Sequence, residues 1–240
     1  MIKACLNGAR PRSDHPAIPL TPEELAREAA AAVAAGAGAL HAHVRTDEGA
    51  DTLAPDLVAA AVTAVRDACP GTPLGLTTGL WTVGRDPARR LELISAWRTP
   101  PDFVSVNMSE PGFEELCELL LERGIGIEPG LWSADHARAL ASSGLADRCL
   151  RVLVEAMEED PEAAVRNAAE MEAVLGDAGI ETPQLHHGAG RATWAVIDRA
   201  IARGRDVRIG LEDTTVLPDG STARDNADLV AEAARRAAAA

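Results

Sequence analysis

The chain has 240 residues, 47% apolar and 25% charged, which suits one barrel-sized domain with a sizeable aliphatic core. A formal net charge of −14 excludes nucleic acid and anionic membrane surfaces as partners, because both are met by clustered Lys and Arg. Cys5, Cys69, Cys117 and Cys149 lie far apart with no CxxC pair, which excludes a cysteine zinc cluster and fits reduced thiols in the cytoplasm.

The opening MIKACLNGARPR lacks the apolar run of a signal peptide, and no stretch reaches the length of a membrane span. Short apolar runs then alternate with amphipathic, Ala- and Glu-rich segments. In chain order the predicted strand–helix pairs are 2–6 with 22–35, 39–44 with 55–68, 73–77 with 87–97 and 103–107 with 113–123. They continue as 125–128 with 133–142, 150–155 with 161–178, 184–187 with 193–203 and 207–212 with 226–238. Thr21-Pro22-Glu23-Glu24 reads as an N-cap, a Pro in the first turn and acids at the positive end of the helix. Asp86-Pro87 and Asp160-Pro161 repeat that signal, and Gly36, Gly124 and Gly204 stand where helices should end. Eight βα units predict a parallel sheet with crossover helices. That count favours closure into a (β/α)8 TIM barrel spanning residues 1–240 over an open doubly wound sheet.

The second strand carries His41-Ala42-His43-Val44-Arg45. Residues at i and i+2 on a strand share a face, roughly 6–7 Å apart, so both imidazoles point one way. At the carboxyl end of a barrel strand that direction is the mouth, where catalytic groups gather, and two imidazoles suit a borderline-soft metal. Alternatively, one histidine packs and the other caps a loop. The last strand ends in Arg208-Ile209-Gly210-Leu211-Glu212-Asp213, and Glu212 is a candidate third ligand. Three protein ligands leave an open coordination position, as a catalytic site needs. A plain ion pair of Arg208 with either acid is the competing reading. Thr77-Thr78-Gly79 and Ser105-Val106-Asn107 end strands three and four with groups that can meet a developing oxyanion.

Other polar residues are less committed. One of His186 and His187 is a candidate for the pocket, because adjacent strand residues face opposite ways, with a plain loop role the alternative. Gly188-Ala189-Gly190-Arg191 opens a helix where barrels often hold an anion. Glu155 ends strand six facing the mouth with no assigned role, and Trp81 is a candidate pocket wall. His15 and His136 read as ordinary loop or helix-start residues.

Together, His41-Ala-His43-Val-Arg45, Thr77-Thr78-Gly79, Ser105-Val-Asn107 and Arg208-Ile-Gly-Leu-Glu212-Asp213 resemble the signature of the β-keto acid cleavage enzymes. Asn7-Gly8-Ala9-Arg10, Pro19-Leu20-Thr21-Pro22 and Asn226 resemble that family too, in the same order along the chain. The resemblance implies a zinc-containing barrel, usually a homotetramer, although another divalent metal is possible. It implies that a β-keto acid and acetyl-CoA exchange acyl groups to give acetoacetate and a new acyl-CoA. It places His41, His43 and Glu212 on the metal and makes Arg208 and Asp213 a catalytic pair. Thr77 and Ser105 stand in for a serine and a threonine at the reacting carbonyl, with Thr78, Gly79, Asn107, Glu128 and Arg45 expected around the substrate.

Two departures stand out. The family's Pro-Glu-x-Glu near strand five is here Ile127-Glu128-Pro129-Gly130, and Arg10 stands near the place of an early family Glu. The other readings weighed are a metal-dependent hydrolase of the amidohydrolase kind and a non-catalytic, metal-bearing barrel that binds small acids. Strands five and six offer no histidine, which counts against the hydrolase.

Overall fold

The computed structural model describes all residues, 1–240. Eight strands, β1 (Ile2–Cys5), β2 (Ala39–Ala42), β3 (Leu74–Thr77), β4 (Phe103–Asn107), β5 (Gly126–Leu131), β6 (Val152–Ala156), β7 (Gln184–Gly188) and β8 (Asp206–Ile209), form a closed parallel barrel in sequence order. Eight helices wrap it: α1 (Pro22–Ala34), α2 (Pro55–Ala68), α3 (Pro87–Ser95), α4 (Phe113–Glu122), α5 (Ala134–Ser143), α6 (Pro161–Asp177), α7 (Thr193–Ala202) and α8 (Asn226–Ala238). The chain is therefore a (β/α)8 TIM barrel.

The start signals act as read. Thr21 and Glu24 form a reciprocal capping box, so two otherwise orphaned backbone N–H groups at the start of α1 are satisfied. Asp86 and Asp160 each accept from the backbone N–H three residues on. Outward-facing strand residues such as Ala4, Leu40, Leu76 and Val154 pack under the helices in one continuous apolar cluster.

The barrel interior, by contrast, is polar. Register places Lys3, His41, Gly75, Phe103, Glu128, Glu155, His187 and Arg208 on the inward face. In the lower layer the Lys3 ammonium pairs with Glu128 Oε2, and Arg151 Nε lies 3.1 Å from Glu128 Oε1. Both cations sit 5.6 Å from the centre of the Phe103 ring. Gly75 admits that ring, because a Cβ there would come within 2.0 Å of it. Glu128 is fully buried in this plug, so its carboxylate is already paired beneath the mouth rather than offered to a substrate.

Two strand boundaries differ from expectation in ways that shape the site. β2 stops at Ala42 and β8 at Ile209, so His43 and Glu212 project from the loops that leave the strands.

Candidate active site

Each metal-ligand candidate is held by backbone ties. Asn7 clamps the residue after β2: its Oδ1 accepts from His43 N and its Nδ2 donates to His43 O, both at 2.9 Å. The turn at 210–214 is drawn against β1, where Glu212 N donates to Cys5 O. Glycine is required at 210, since a Cβ would lie 2.0 Å from that carbonyl oxygen. Gly8, at φ +53, passes directly under Glu212, and any side chain there would collide with its Cγ at 2.3 Å. Asn226, at the start of α8, accepts from Leu211 N at 2.9 Å and donates to Leu6 O at 3.0 Å.

These ties bring three ligand atoms together. His41 Nε2 lies 3.9 Å from Glu212 Oε2, and His43 Nε2 lies 3.7 Å from Glu212 Oε1. Ligand atoms of all three residues fall within 4.8 Å of one another. Ligand bonds of about 2.0–2.2 Å to one tetrahedral centre need separations only slightly smaller than these. Glu212 Oε2 is buried without a hydrogen-bond partner, which is costly unless something positive meets it. Two imidazoles and a carboxylate are the donor set of a catalytic divalent metal, so the residues present fit such an ion.

Electrostatics keep the ligands in their binding forms. Burial, reinforced by His43, Lys3 and Arg208, holds His41 well below the usual histidine range and therefore neutral. Burial raises the Glu212 carboxyl, but the Arg208 charge and then His43 and His187 bring it below its ordinary value. Behind His43 stands Asp51, whose Oδ2 lies 3.3 Å from His43 Nδ1 and accepts from Trp81 Nε1 at 2.8 Å. Asp51 Oδ1 in turn faces Arg45 Nε at 3.0 Å. A carboxylate behind a ligating histidine fixes which ring nitrogen points at the metal.

Beside the triad, Arg208 makes a bidentate contact with Asp213. Nε reaches Oδ1 at 3.0 Å and Oδ2 at 3.3 Å, while Nη2 reaches Oδ1 at 2.8 Å and Glu212 Oε1 at 2.5 Å. Burial favours loss of the guanidinium charge, but the Asp213 carboxylate above all, with Glu212, outweighs it and holds Arg208 above its ordinary value. On the other side of Asp213, His187 Nδ1 stands 3.4 Å from Oδ1. Its neighbour His186 turns outward to Gln184, and burial lowers it to about 4.

A cavity of about 310 Å³ opens above these groups. Thr77, Ser105 and Asn107 line it with Trp81, Trp132, Glu155 and Met157. Ser105 is half-buried and its hydroxyl makes no hydrogen bond, while Thr77 Oγ1 accepts from Gly79 N at 3.1 Å. The remaining expected substrate contacts fall elsewhere. Thr78 is fully buried behind the strand and donates to Ser105 O, and Gly79 lies under the Trp81 ring, which a Cβ would strike at 2.1 Å. Arg45 is spent on Asp51 and the carbonyls of Gly8, Gly49 and Arg10, so with Glu128 it stays out of the cavity. His15 bonds Ala223 O in a loop and His136 begins α5, as their positions suggested.

The family model for the β-keto acid cleavage enzyme matches residues 1–240. The chain belongs to that family. It is an enzyme of the β-keto acid cleavage type, which replaces the hydrolase and the non-catalytic readings. It is 28% identical over 260 residues to the 3-keto-5-aminohexanoate cleavage enzyme of Fusobacterium nucleatum, covering 99% of this chain and 90% of the relative. It is 27% identical to the 3-oxoadipate:acetyl-CoA acetyltransferase of Cupriavidus necator, covering 98% of this chain and 87% of the relative. Among solved structures, the ternary complex of ObcA with a C4-CoA adduct and oxalate superposes with a TM-score of 0.76 at 18% identity. The match covers 93% of this chain but 64% of that one, and it shows the shared barrel.

Two groups in this family member's site, Asp51 and Trp132, escape sequence reasoning, and a third, Arg10, carried no role there. Asp51 lies in a loop, returned to Arg45 by an isolated antiparallel bridge that no periodicity announces. Trp132 reaches the cavity from just beyond β5. Arg10 lines the mouth while its Nε donates to Glu212 O at 3.0 Å, bracing the turn rather than replacing an acid.

Proposed function

We propose that this enzyme exchanges acyl groups between a β-keto acid and acetyl-CoA in a zinc-dependent retro-Claisen reaction. The carbon–carbon bond between the carboxymethyl group and the keto carbon of the substrate breaks, and the same carboxymethyl group joins the acetyl carbon. Acetoacetate forms, and the coenzyme sulfur takes the remaining acyl group. The observation that carries the reading is the convergence of His41, His43 and Glu212 beside the Arg208–Asp213 pair, open to one cavity.

His41, His43 and Glu212 would hold the metal, and zinc suits two nitrogens and one oxygen best among common divalent ions. When bound, the ion supplies Lewis acidity toward the keto acid's oxygens. Asp213, oriented by the Arg208 fork, acts as general base toward the substrate. Thr77 and Ser105 stabilise charge on the reacting carbonyl oxygen, and Asn107 contributes to the substrate wall. Asp51 keeps His43 Nε2 turned toward the ligand cluster. A second, wider cavity of about 670 Å³ shares Arg10 with the mouth and reaches Arg191 and the turn at Gly190. Arg191, exposed at the start of the helical segment leading into α7, supports this cavity as the path of the coenzyme's phosphates. The free thiols at Cys5, Cys69, Cys117 and Cys149 fit a reducing cytoplasmic setting, and no helix is long and apolar enough to cross a membrane.

Zinc-loaded protein incubated with a panel of β-keto acids is expected to form acyl-CoA and acetoacetate only when acetyl-CoA is present. Product release without the coenzyme would overturn the exchange. Asp213→Asn is expected to retain bound metal and lower kcat about 10²- to 10⁴-fold, the usual range for removing a general base. Full activity in that variant would remove Asp213 from the role.

A further inference from the structure

His187 is a buried imidazole in the wall of the mouth to which the chemistry above gives no role. It stands on β7 with a carboxylate at each ring nitrogen. Nδ1 lies 3.4 Å from Asp213 Oδ1, and Nε2 lies 3.5 Å from Glu155 Oε2. Nδ1 also lies 3.3 Å from Gly188 O. Each of these neighbours is an acceptor, so the ring serves them only by donating.

The ring is held from both ends. Glu155 Oε2 accepts from Trp132 Nε1 at 3.1 Å. Burial raises the Glu155 carboxyl, but the hydrogen bond and charge of His187, followed by Arg208 and Trp132, bring it down to about 2. It is therefore an anion at neutral pH. The backbone behind the ring is close-packed: Thr193 Oγ1 donates to Gly188 O at 3.1 Å, and a Cβ at 188 would lie 2.8 Å from Ala192 O. Gly190 N donates to Asp213 O at 2.8 Å, which ties the loop after β7 to the turn that carries Asp213.

The two oxygens of Asp213 are unequally engaged. Oδ1 lies 2.8 Å from Arg208 Nη2, 3.0 Å from Arg208 Nε and 3.4 Å from His187 Nδ1. Oδ2 has a single long contact, 3.3 Å to Arg208 Nε. A carboxylate oxygen offers about two lone-pair directions, so Oδ1 is filled while Oδ2 keeps room for another partner. The 3.4 Å contact is long, as such contacts often are before substrate tightens them.

Taking Asp213 to be the general base, as proposed above, we infer that His187 is a positioning residue: with Arg208 it fills Asp213 Oδ1 and leaves Oδ2 as the oxygen that acts toward the substrate. Arg208 alone reaches Asp213 from β8, and its Nε touches both oxygens, so the carboxylate can turn about its Cβ–Cγ bond. A second donor from β7, aimed at one oxygen, stops that turn. Orientation of this kind governs the reacting step more than binding.

Two amides separate the ring's contacts, because the side-chain nitrogen of Asn falls near the place of Nδ1 and that of Gln near the place of Nε2. In acyl exchange by the metal-loaded enzyme, with the β-keto acid turned over fastest, His187→Gln is expected to lower kcat about 10²-fold with KM little changed and the metal retained, the scale of a misplaced catalytic group. His187→Asn is expected to recover most of that loss, although Gln is the closer match in size. A merely space-filling imidazole would reverse that order. Proton NMR reads the contact without turnover: a downfield imidazole N–H signal is expected in the metal-loaded native protein, absent from His187→Gln and moved in Asp213→Asn. A signal unmoved by Asp213→Asn, or a Gln variant as active as the Asn variant, overturns the positioning role. A signal that behaves as expected in native protein that forms no acyl-CoA sinks the exchange alone.

Discussion

Two layers of this barrel bury charge, and they do opposite things with it. In the lower layer Lys3, Glu128 and Arg151 neutralise one another around Phe103 and face nothing but protein. In the upper layer His41, His43, Glu212, Arg208, Asp213, His187 and Glu155 are nearly as buried, yet they leave atoms directed into a cavity. Glu212 Oε2 lacks a hydrogen-bond partner and Glu155 Oε1 meets no donor. Burial of charge is therefore not what distinguishes a site from a support. The distinction is the cavity: Glu128 Oε1 also lacks a hydrogen bond but faces Arg151 inside the plug, whereas Glu212 and Glu155 line open space that a ligand can fill.

That contrast is breakable. The largest effect is expected from His41→Ala or Glu212→Ala, each of which removes one of the three proposed ligands. Metal content measured by elemental analysis is expected to fall from one ion per chain to near none, and activity with it, while the fold persists. A variant that kept its ion would show that the upper layer is merely another ion-pair cluster. Next comes Lys3→Met in the lower layer, which leaves Glu128 with only Arg151. Thermal and denaturant unfolding should reveal a loss of about 3–5 kcal/mol, the usual result of breaking a buried pair, with metal affinity intact. Smaller again is Asp51→Asn, which keeps the shape but weakens the support of His43. Competition with a chelator should report a 10- to 100-fold loss of metal affinity, with stability little changed. Unaltered affinity would make Asp51 a strut for Arg45 and Trp81 alone.

Much of the fold is written in local signals, because each βα unit carries its own cap, apolar run and terminating glycine. The histidine pair was legible for the same reason: a period of two is a property of any strand. Depth along the barrel axis is not. Glu128 is in register with Ser105, which lines the mouth, yet its side chain meets Lys3 in the plug. Strand tilt and stagger separate hydrogen-bonded neighbours in height, and no single strand encodes them. Arg45 continues the alternation of His41 and His43 on paper, but β2 has already ended, and the chain bends back to bring Asp51 against it. Glu212 was legible as a candidate ligand although it projects from a turn, since Gly210 and Gly8 are there to admit it. Glu155 carried no assignment because its partners, His187 on β7 and Trp132 just beyond β5, come from the strands on either side.

Asn226 contributes no atom to the cavity, yet it holds the carbonyl of Leu6 with one end of its amide and the N–H of Leu211 with the other. The last helix is thus the latch on the seam where the first and last strands meet, and the candidate carboxylate ligand hangs from that latch. Cutting the chain between residues 214 and 226 would leave every cavity-lining side chain present and unhook the one that closes the triad. For this enzyme, the last helix supports the proposed triad through the backbone it fastens.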